Sequence, residues 1–488
     1  MNLGFEHSYA TLPPQCFVEV APARVADPRL LVYNHALAGF LQLDAGLADR
    51  AALLLSGNEL PGDARPLAMA YAGHQYAHFV PQLGDGRAVL LGERRGADGL
   101  LYDLQLKGSG RTPFSRSGDG RAAVGPMLRE YLISEAMYAL GIPTTRSLAV
   151  VATGERVLRE EPLPGAVLTR IAASHLRVGT FEYFAARKDL DALQALLAYA
   201  IQRHAPALAT APVPALAFLK WVADRQAALI AQWLGAGFIH GVMNTDNMAL
   251  SGETIDYGPC AFMDHYHPQT VFSSIDHRGR YSYGNQPAIA QWNLARLAET
   301  LVPLINPDQA LAIQGATAVI SRFPAEFEAR YQQLLRQKLG LTAVRESDAA
   351  LASRFLTLLQ LSAADFTLAF HYLTLAAEGA AHEGALRALL GNPEALDSWL
   401  QDWRTRLQGD ALSPADRQIS MRQVNPVFIP RNHLVEAALA AASERGDLAP
   451  FHDLLAVVQQ PFREHAGRES WQQPPREEQR VLATFCGT

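Results

Sequence analysis

The chain has 488 residues, with 42 basic and 48 acidic side chains and a formal net charge of −6. Hydrophobic residues make up 49% and charged ones 18%, which excludes a disordered chain; a pI near 6.2 leaves no basic footprint for nucleic acid or an anionic membrane. Three cysteines, Cys16, Cys260 and Cys486, are too few for a disulfide framework and fit a reducing, cytoplasmic setting.

Length alone predicts roughly three domains or subdomains. Residues 1–15 lack a basic n-region and an apolar core, so no signal peptide is expected there. Within residues 1–65, Leu30, Leu31, Tyr33, Ala36, Leu37, Phe40 and Leu41 recur at helical spacing and predict a helix. From 71 to 107 the texture turns to strands, with 88–95 and 100–107 forming a hairpin around the turn Gly-Ala-Asp-Gly at 96–99. A loop rich in Gly, Ser and Arg (107–121) precedes a helix from Pro126 to Leu140, which Gly141 ends. Strands are expected at 147–153, closed by the turn Ala-Thr-Gly-Glu, and at 166–171. Helical periodicity dominates after about 185, over 190–203, 214–235, 287–305, 350–378 and 434–444, with one strand-like interruption at 238–262. The polar, charged segment 463–480 reads as a mobile, solvated lead-in to the C-terminus. No run is long and unbroken enough to span a bilayer.

Several weak chemical signals fall in a telling order. The Gly-rich turn Leu83–Arg87 lets backbone approach a phosphate through Gly84 and Gly86, and Arg87 adds charge. Lys107 ends a predicted strand, where an ammonium reaches phosphates. Glu130 lies on a helix face shared with Met127, Tyr131, Ser134 and Tyr138, an apolar setting that invites a cation such as Lys107. Asp246, Asn247 and Asp256 could offer oxygens to a hard cation such as Mg²⁺. Gly-rich hairpin, strand lysine, helix glutamate, a His240-to-Asn247 loop and Asp-Tyr-Gly at 256–258 reproduce the part order of a protein kinase. Val242 departs from that template, because a kinase carries its base aspartate two residues after the histidine. Asp246 is the nearest carboxylate to take that part. A second Gly-Asp-Gly-Arg at 118–121, with Asp119 and Gly120, and the arginines Arg170 and Arg177 add phosphate-gripping groups. His74, His78, His265 and His267 come without a Cys-x-x-Cys or His-Glu-x-x-His partner motif and read as satisfied polar histidines.

The blocks at 71–93, 104–123, 240–248, 255–264 and 425–439 resemble the signature blocks of the selenoprotein O family over nearly the whole chain. That resemblance implies an α+β, protein-kinase-like bilobal fold with a small β-rich N-lobe, a helical C-lobe and a helical C-terminal extension. The implied boundaries are 1–65 (N-terminal extension), 66–182 (N-lobe), 183–330 (C-lobe) and 331–488 (C-terminal extension with a cysteine-containing tail). It implies an enzyme that binds ATP flipped relative to kinases and transfers AMP to Ser, Thr or Tyr hydroxyls of proteins. By matching motif, Lys107 would bind phosphate with Glu130 as its ion-pair partner. Gly84, Gly86, Arg87, Asp119, Gly120, Arg170, Arg177 and Asp256 would line the nucleotide site. Asn247 and Asp256 would hold Mg²⁺ or Mn²⁺, and Asp246 would accept the proton. Where some members carry selenocysteine near the C-terminus this chain has Cys486, so Cys260 and Cys486 are a candidate redox pair. Expected partners are protein substrates, redox-related ones among them, with no nucleic acid and no membrane. A redox-linked nucleotide-binding regulator, uridylyl transfer from UTP with Mn²⁺, and γ-phosphoryl transfer are the alternatives.

Overall fold

The computed structural model describes residues 1–391 and 394–485. Its first part is organised by an antiparallel eight-stranded sheet. In chain order come β1 (Phe17–Glu19), β2 (Arg29–Tyr33), helices α1 (His35–Phe40) and α2 (Leu47–Leu54), and β3 (Leu67–Met69). A separate small hairpin of β4 (Gly73–Gln75) and β5 (His78–Val80) follows. Next are β6 (Ala88–Arg95), β7 (Leu101–Lys107), β8 (Ala122–Ala123), helix α3 (Val124–Ala139), β9 (Arg146–Leu158) and β10 (Pro162–Ala172). The sheet runs β1-β3-β6-β7-β10-β9-β2, with β8 also pairing to β10. Residues 1–65 thus supply both edge strands.

Side chains alternate faces along a strand, and that alternation positions the site. On β6, β7 and β10, Val89, Leu91, Leu104, Leu106, Val167 and Ile171 face one core, capped by Leu37 and Leu41 of the α1 segment and by Ala51 and Leu55 of the α2 segment. Gln105, Lys107 and Arg170 therefore point to the opposite face, where α3 packs. The register pairs Arg170 with Gln105 and Leu168 with Lys107.

Two sequence expectations change here. The apolar run from Leu30 to Leu41 is split between β2 and α1, because Leu30, Val32 and Tyr33 pair with β9 rather than continuing a helix. Asn34 then caps α1 by accepting from Leu37 N at 3.0 Å. The tetrapeptide at 152–155 is not a strand end either. β9 passes through it with a register shift opposite Pro164–Ala166, and the reversal comes at 159–161.

The rest is helical: α4 (Val178–Ala186), α5 (Leu190–His204) and α6 (Pro214–Ala236) come first. The two-residue strands β11 (Phe238–Ile239) and β12 (Ala261–Phe262) pair around the loop that carries Asp246 and Asp256. Then follow α7 (Gln286–Ile305), α8 (Gln309–Lys338), α9 (Asp348–Leu361), α10 (Phe366–Ala376), α11 (Gly384–Leu389), α12 (Glu394–Gln408), α13 (Pro414–Arg422), α14 (Asn432–Arg445) and α15 (Ala449–Val458). The predicted helix at 350–378 is two helices, broken at Ser362–Asp365 where Asp365 caps α10. Segment 463–480 is docked rather than free. Arg431 donates to Gln472 O at 2.5 Å, Arg468 bonds Asp453 at 2.8 Å, and further on Thr484 Oγ1 donates to Pro259 O at 2.6 Å. The result is a mixed α/β chain, an antiparallel sheet region followed by a helical region, compatible with a kinase-like fold. No helix among the described residues is long and apolar enough to cross a membrane.

One buried charge outside the sheet region has a measurable consequence. Lys338, 2% exposed, ends α8 with its Nζ 4.4 Å from the Phe370 ring centroid and 3.3 Å from Val424 O. Burial pushes its ammonium down to about 7. An unfolded lysine holds its proton up to roughly pH 10.4. The unfolded chain thus binds the extra proton between about pH 7 and 10, stability rises with pH through that window, and the penalty is fully present below it. Lys338→Met is expected to stabilise the fold by about 1–3 kcal/mol at pH 7, allowing for the lost carbonyl bond. The gain should shrink towards pH 10 in thermal melts of both proteins; a gain independent of pH would contradict the buried-charge reading.

Candidate active site

A cavity of about 900 Å³ opens between the sheet and the helical region. Its lining brings together Gly84, Gly86, Arg87, Lys107, Asp119, Gly120, Glu130, Arg170, Arg177, Asp246, Asn247 and Asp256, all twelve residues expected for nucleotide, proton and metal. Separate segments deliver them, the 118–121 loop, the Thr245–Asn247 turn and the loop before β12 bringing Asp119, Gly120, Asp246, Asn247 and Asp256. The Gly84–Arg87 turn leads into β6, and Lys107 is the last residue of β7. Glu130 sits in α3, Arg170 is on β10, and Arg177 immediately precedes α4. Gly84 has a left-handed φ of +69°, and a Cβ there would lie 2.3 Å from the Phe114 ring, so the turn admits no side chain.

At the floor, two carboxylates and three cations share one network. Lys107 Nζ donates to Glu130 Oε2 at 2.5 Å and also binds Asp256 Oδ1. Arg170 reaches Asp256 Oδ1 at 3.0 Å, Glu130 Oε1 at 3.3 Å and Gln105 Oε1 at 2.7 Å. Arg177 donates to the backbone oxygen of Asp246 at 2.9 Å, lies 3.8 Å from Asp256 Oδ2, and stacks 4.5 Å over the Tyr71 ring. Burial alone would push the Asp256 carboxyl up, but Lys107, Arg170 and Arg177 outweigh it and hold the group well below the usual carboxylate range. Asp246 goes the other way: burial raises its carboxyl to about 6 against the opposing pull of Arg177. The two acids are thus driven in opposite directions, one held ionised and the other raised towards neutral pH.

Asn247 spends its Nδ2 on Val242 O at 3.0 Å, leaving its carbonyl oxygen for a cation. No group of three or more His, Cys, Asp or Glu side chains gathers for a metal among the described residues. Asn247 and Asp256 both line the cavity and carry hard oxygen donors of the kind that suit a cation sharing its shell with phosphates. Asp119 lies at the rim, paired with Arg159 at 3.0 Å. Cys260 is buried behind the cavity with its thiol pushed up by burial to about 11, and Cys486 lies outside the described residues.

The chain matches the family model described as protein adenylyltransferase SelO over residues 1–459. The chain belongs to the SelO family. It is 56% identical over 485 residues to a protein nucleotidyltransferase YdiU of Rhizobium johnstonii, covering 99% of this chain and 97% of the relative. A protein nucleotidyltransferase YdiU of Rhodopseudomonas palustris is 56% identical over 490 residues with both chains covered completely. One from Rhizobium meliloti is 55% identical over 485 residues, 99% of each chain. This SelO-family chain is therefore a protein nucleotidyltransferase, with a nucleotide and proteins as its substrates.

Sequence reading missed several residues in and around this cavity. Gln105 shares the face of Lys107 by strand alternation and could have been found from that. Asp85, inside the Gly-rich turn, accepts from Met69 N at 3.0 Å and from Gln105 Nε2 at 3.1 Å, and burial raises it to about 6. Arg129 on α3 bonds Gly258 O at 3.1 Å, Cys260 O at 2.6 Å and Glu436 of α14 at 2.7 Å. Nothing in its local sequence points to carbonyls about 130 residues away.

Proposed function

We propose that this enzyme transfers AMP from ATP to Ser, Thr or Tyr hydroxyls of protein substrates and releases pyrophosphate, on a protein-kinase-like bilobal scaffold. Residues 66–182 would form the N-lobe and 183–330 the C-lobe, flanked by the extensions 1–65 and 331–488. The observation that carries the reading is the pairing of a cation cluster on Asp256 with a separate, buried carboxyl at Asp246, while the kinase base position is Val242.

In this reading Lys107, Arg170 and Arg177 offset charge building on the triphosphate, and the Gly84–Arg87 and Gly118–Arg121 backbones line its path. Glu130 keeps Lys107 in place. Asn247 and Asp256 would hold a divalent cation, Mg²⁺ or Mn²⁺, which would supply charge neutralisation for the phosphates when bound. The acceptor oxygen attacks the α-phosphorus, the bond to the β-phosphate oxygen breaks, and the hydroxyl proton passes to Asp246 Oδ. With ATP flipped relative to kinases, the α-phosphorus rather than the γ-phosphorus faces the acceptor.

Incubation with ATP labelled separately at the α- and γ-phosphates tests this directly. Label from the α position alone is expected on protein. Label from γ would make the enzyme a kinase, and label from neither a nucleotide-binding regulator. α-Labelled UTP with Mn²⁺ in the same assay reports uridylyl transfer.

A further inference from the structure

Beneath Asp246 lies a closed ring of hydrogen bonds built from residues outside the lining of the cavity. The backbone N–H of His74, in β4, donates to Thr245 Oγ1 at 2.6 Å. The Thr245 hydroxyl donates to Glu182 Oε2, in α4, at 2.5 Å. The other carboxylate oxygen, Oε1, takes His74 Nδ1 at 2.5 Å and closes the ring. Glu182 and Thr245 are buried, and the His74 ring is walled by Phe79 and Trp292 at centroid distances of 4.9 and 5.3 Å. The three residues come from segments about 60 to 170 positions apart, yet each bond fits the next.

Asp246 itself is lightly held. Among the described residues its Oδ1 is buried without a hydrogen-bond partner, and its Oδ2 receives Gln75 Nε2 at 3.3 Å. The β4–β5 hairpin presses against it as closely as the backbone allows: a Cβ on Gly73 would sit 2.7 Å from Asp246 Oδ1. The direction of the carboxylate is therefore set by the one-turn 3₁₀ segment Thr245–Asn247 from which it projects. Arg177 pins the Asp246 carbonyl, and the ring pins the side chain immediately before it. Asn244 is fixed in the same manner, its Oδ1 accepting from Tyr281 Oη at 2.7 Å and from Tyr76 N at 3.1 Å.

We propose that His74, Glu182 and Thr245 are positioning residues that aim the Asp246 carboxylate at the acceptor hydroxyl. The proposal rests on Asp246 being the proton acceptor. The Thr245 hydroxyl is the link, because it alone both accepts from the hairpin and donates to α4. Losing it leaves a buried N–H and a carboxylate oxygen unpartnered and frees the turn to rotate. None of the three residues lines the nucleotide cavity, so the loss should fall on turnover and not on nucleotide binding.

Steady-state transfer from α-labelled ATP to a hydroxyl-bearing protein such as casein, with melting temperatures measured alongside, makes the test. Thr245→Val is expected to lower kcat about 10- to 100-fold with the KM for ATP within about threefold. Thr245→Ser, which keeps the hydroxyl, should recover kcat to within about threefold of the parent. Glu182→Gln should lose about tenfold in kcat, since a carboxamide must turn a donor towards either His74 or Thr245. Parent-like kcat in either Thr245→Val or Glu182→Gln overturns the proposal. So does equal impairment of the Val and Ser variants, or a rise in KM as large as the fall in kcat. Asp246→Asn separates the underlying reading: parent-like turnover in that variant refutes the proton acceptor itself, whereas an inactive Asp246→Asn beside a parent-like Thr245→Val refutes only the positioning ring.

Discussion

Asp256→Ala is expected to lower transfer by about a thousandfold or more while nucleotide binding survives. The carboxylate is the point on which Lys107, Arg170 and Arg177 converge, and it stays ionised because those three cations outweigh the cost of burying it. In the proposed mechanism its removal takes away one of the two oxygen donors for a cation but leaves the positive side chains in place. Lys107 keeps Glu130, and Arg170 keeps Glu130 and Gln105. Triphosphate can still settle among them, now without the anion that competed for the same guanidinium and ammonium groups. A thousandfold loss corresponds to about 4 kcal/mol of transition-state stabilisation, a reasonable share for charge neutralisation on a leaving pyrophosphate. The readouts are label transfer at ordinary Mg²⁺ and the ATP-induced shift in melting temperature with chelator present. Robust transfer by the variant would remove Asp256 from the cation site.

Asp246→Asn should cost about 10²- to 10⁴-fold in kcat with little change in the KM for ATP. The carboxamide matches the carboxylate in size, so the tight approach of Gly73 is preserved, and its oxygen can still accept from Gln75. What disappears is a buried acid raised to about 6, basic enough to take a hydroxyl proton as the bond to phosphorus forms. Arg177 continues to bind the backbone oxygen at this position, so the turn itself has no reason to move. Single-turnover measurements at saturating ATP isolate that step from product release. A variant with undiminished single-turnover rate would mean that the acceptor proton leaves by another route.

Legibility of this site in the sequence followed the range of the interactions. Lys107 at a strand end, Glu130 one turn into a helix and the Asp246–Asn247–Asp256 spacing are local patterns, and all three segments meet in the cavity. Strand alternation carried Gln105 implicitly. The split of Leu30–Leu41 escaped because the same leucines satisfy a helical repeat and a pairing with β9, and only the partner strand decides between them. Arg129, Asp85 and the Glu182 ring escaped for a different reason. Their partners are backbone carbonyls, amides and hydroxyls, which every sequence offers everywhere, so periodicity carries no trace of them. The long helix α8 was also passed over, its polar composition diluting an apolar stripe that is visible only against α6 and α7.

The reach of Arg129 gives the C-terminal third of the chain a mechanical meaning. One guanidinium on α3 holds two carbonyls just past Asp256 and a carboxylate on α14, while Asn432 at the head of α14 bonds both the N–H and the oxygen of Phe262. Tyr131, beside Glu130, stacks edge-on with Phe451 of α15. The helix that presents Glu130 is thus held at two points, Arg129 and Tyr131, by α14 and α15. A chain cut before α14 would lose the Arg129–Glu436 and Tyr131–Phe451 contacts that brace the helix behind Glu130.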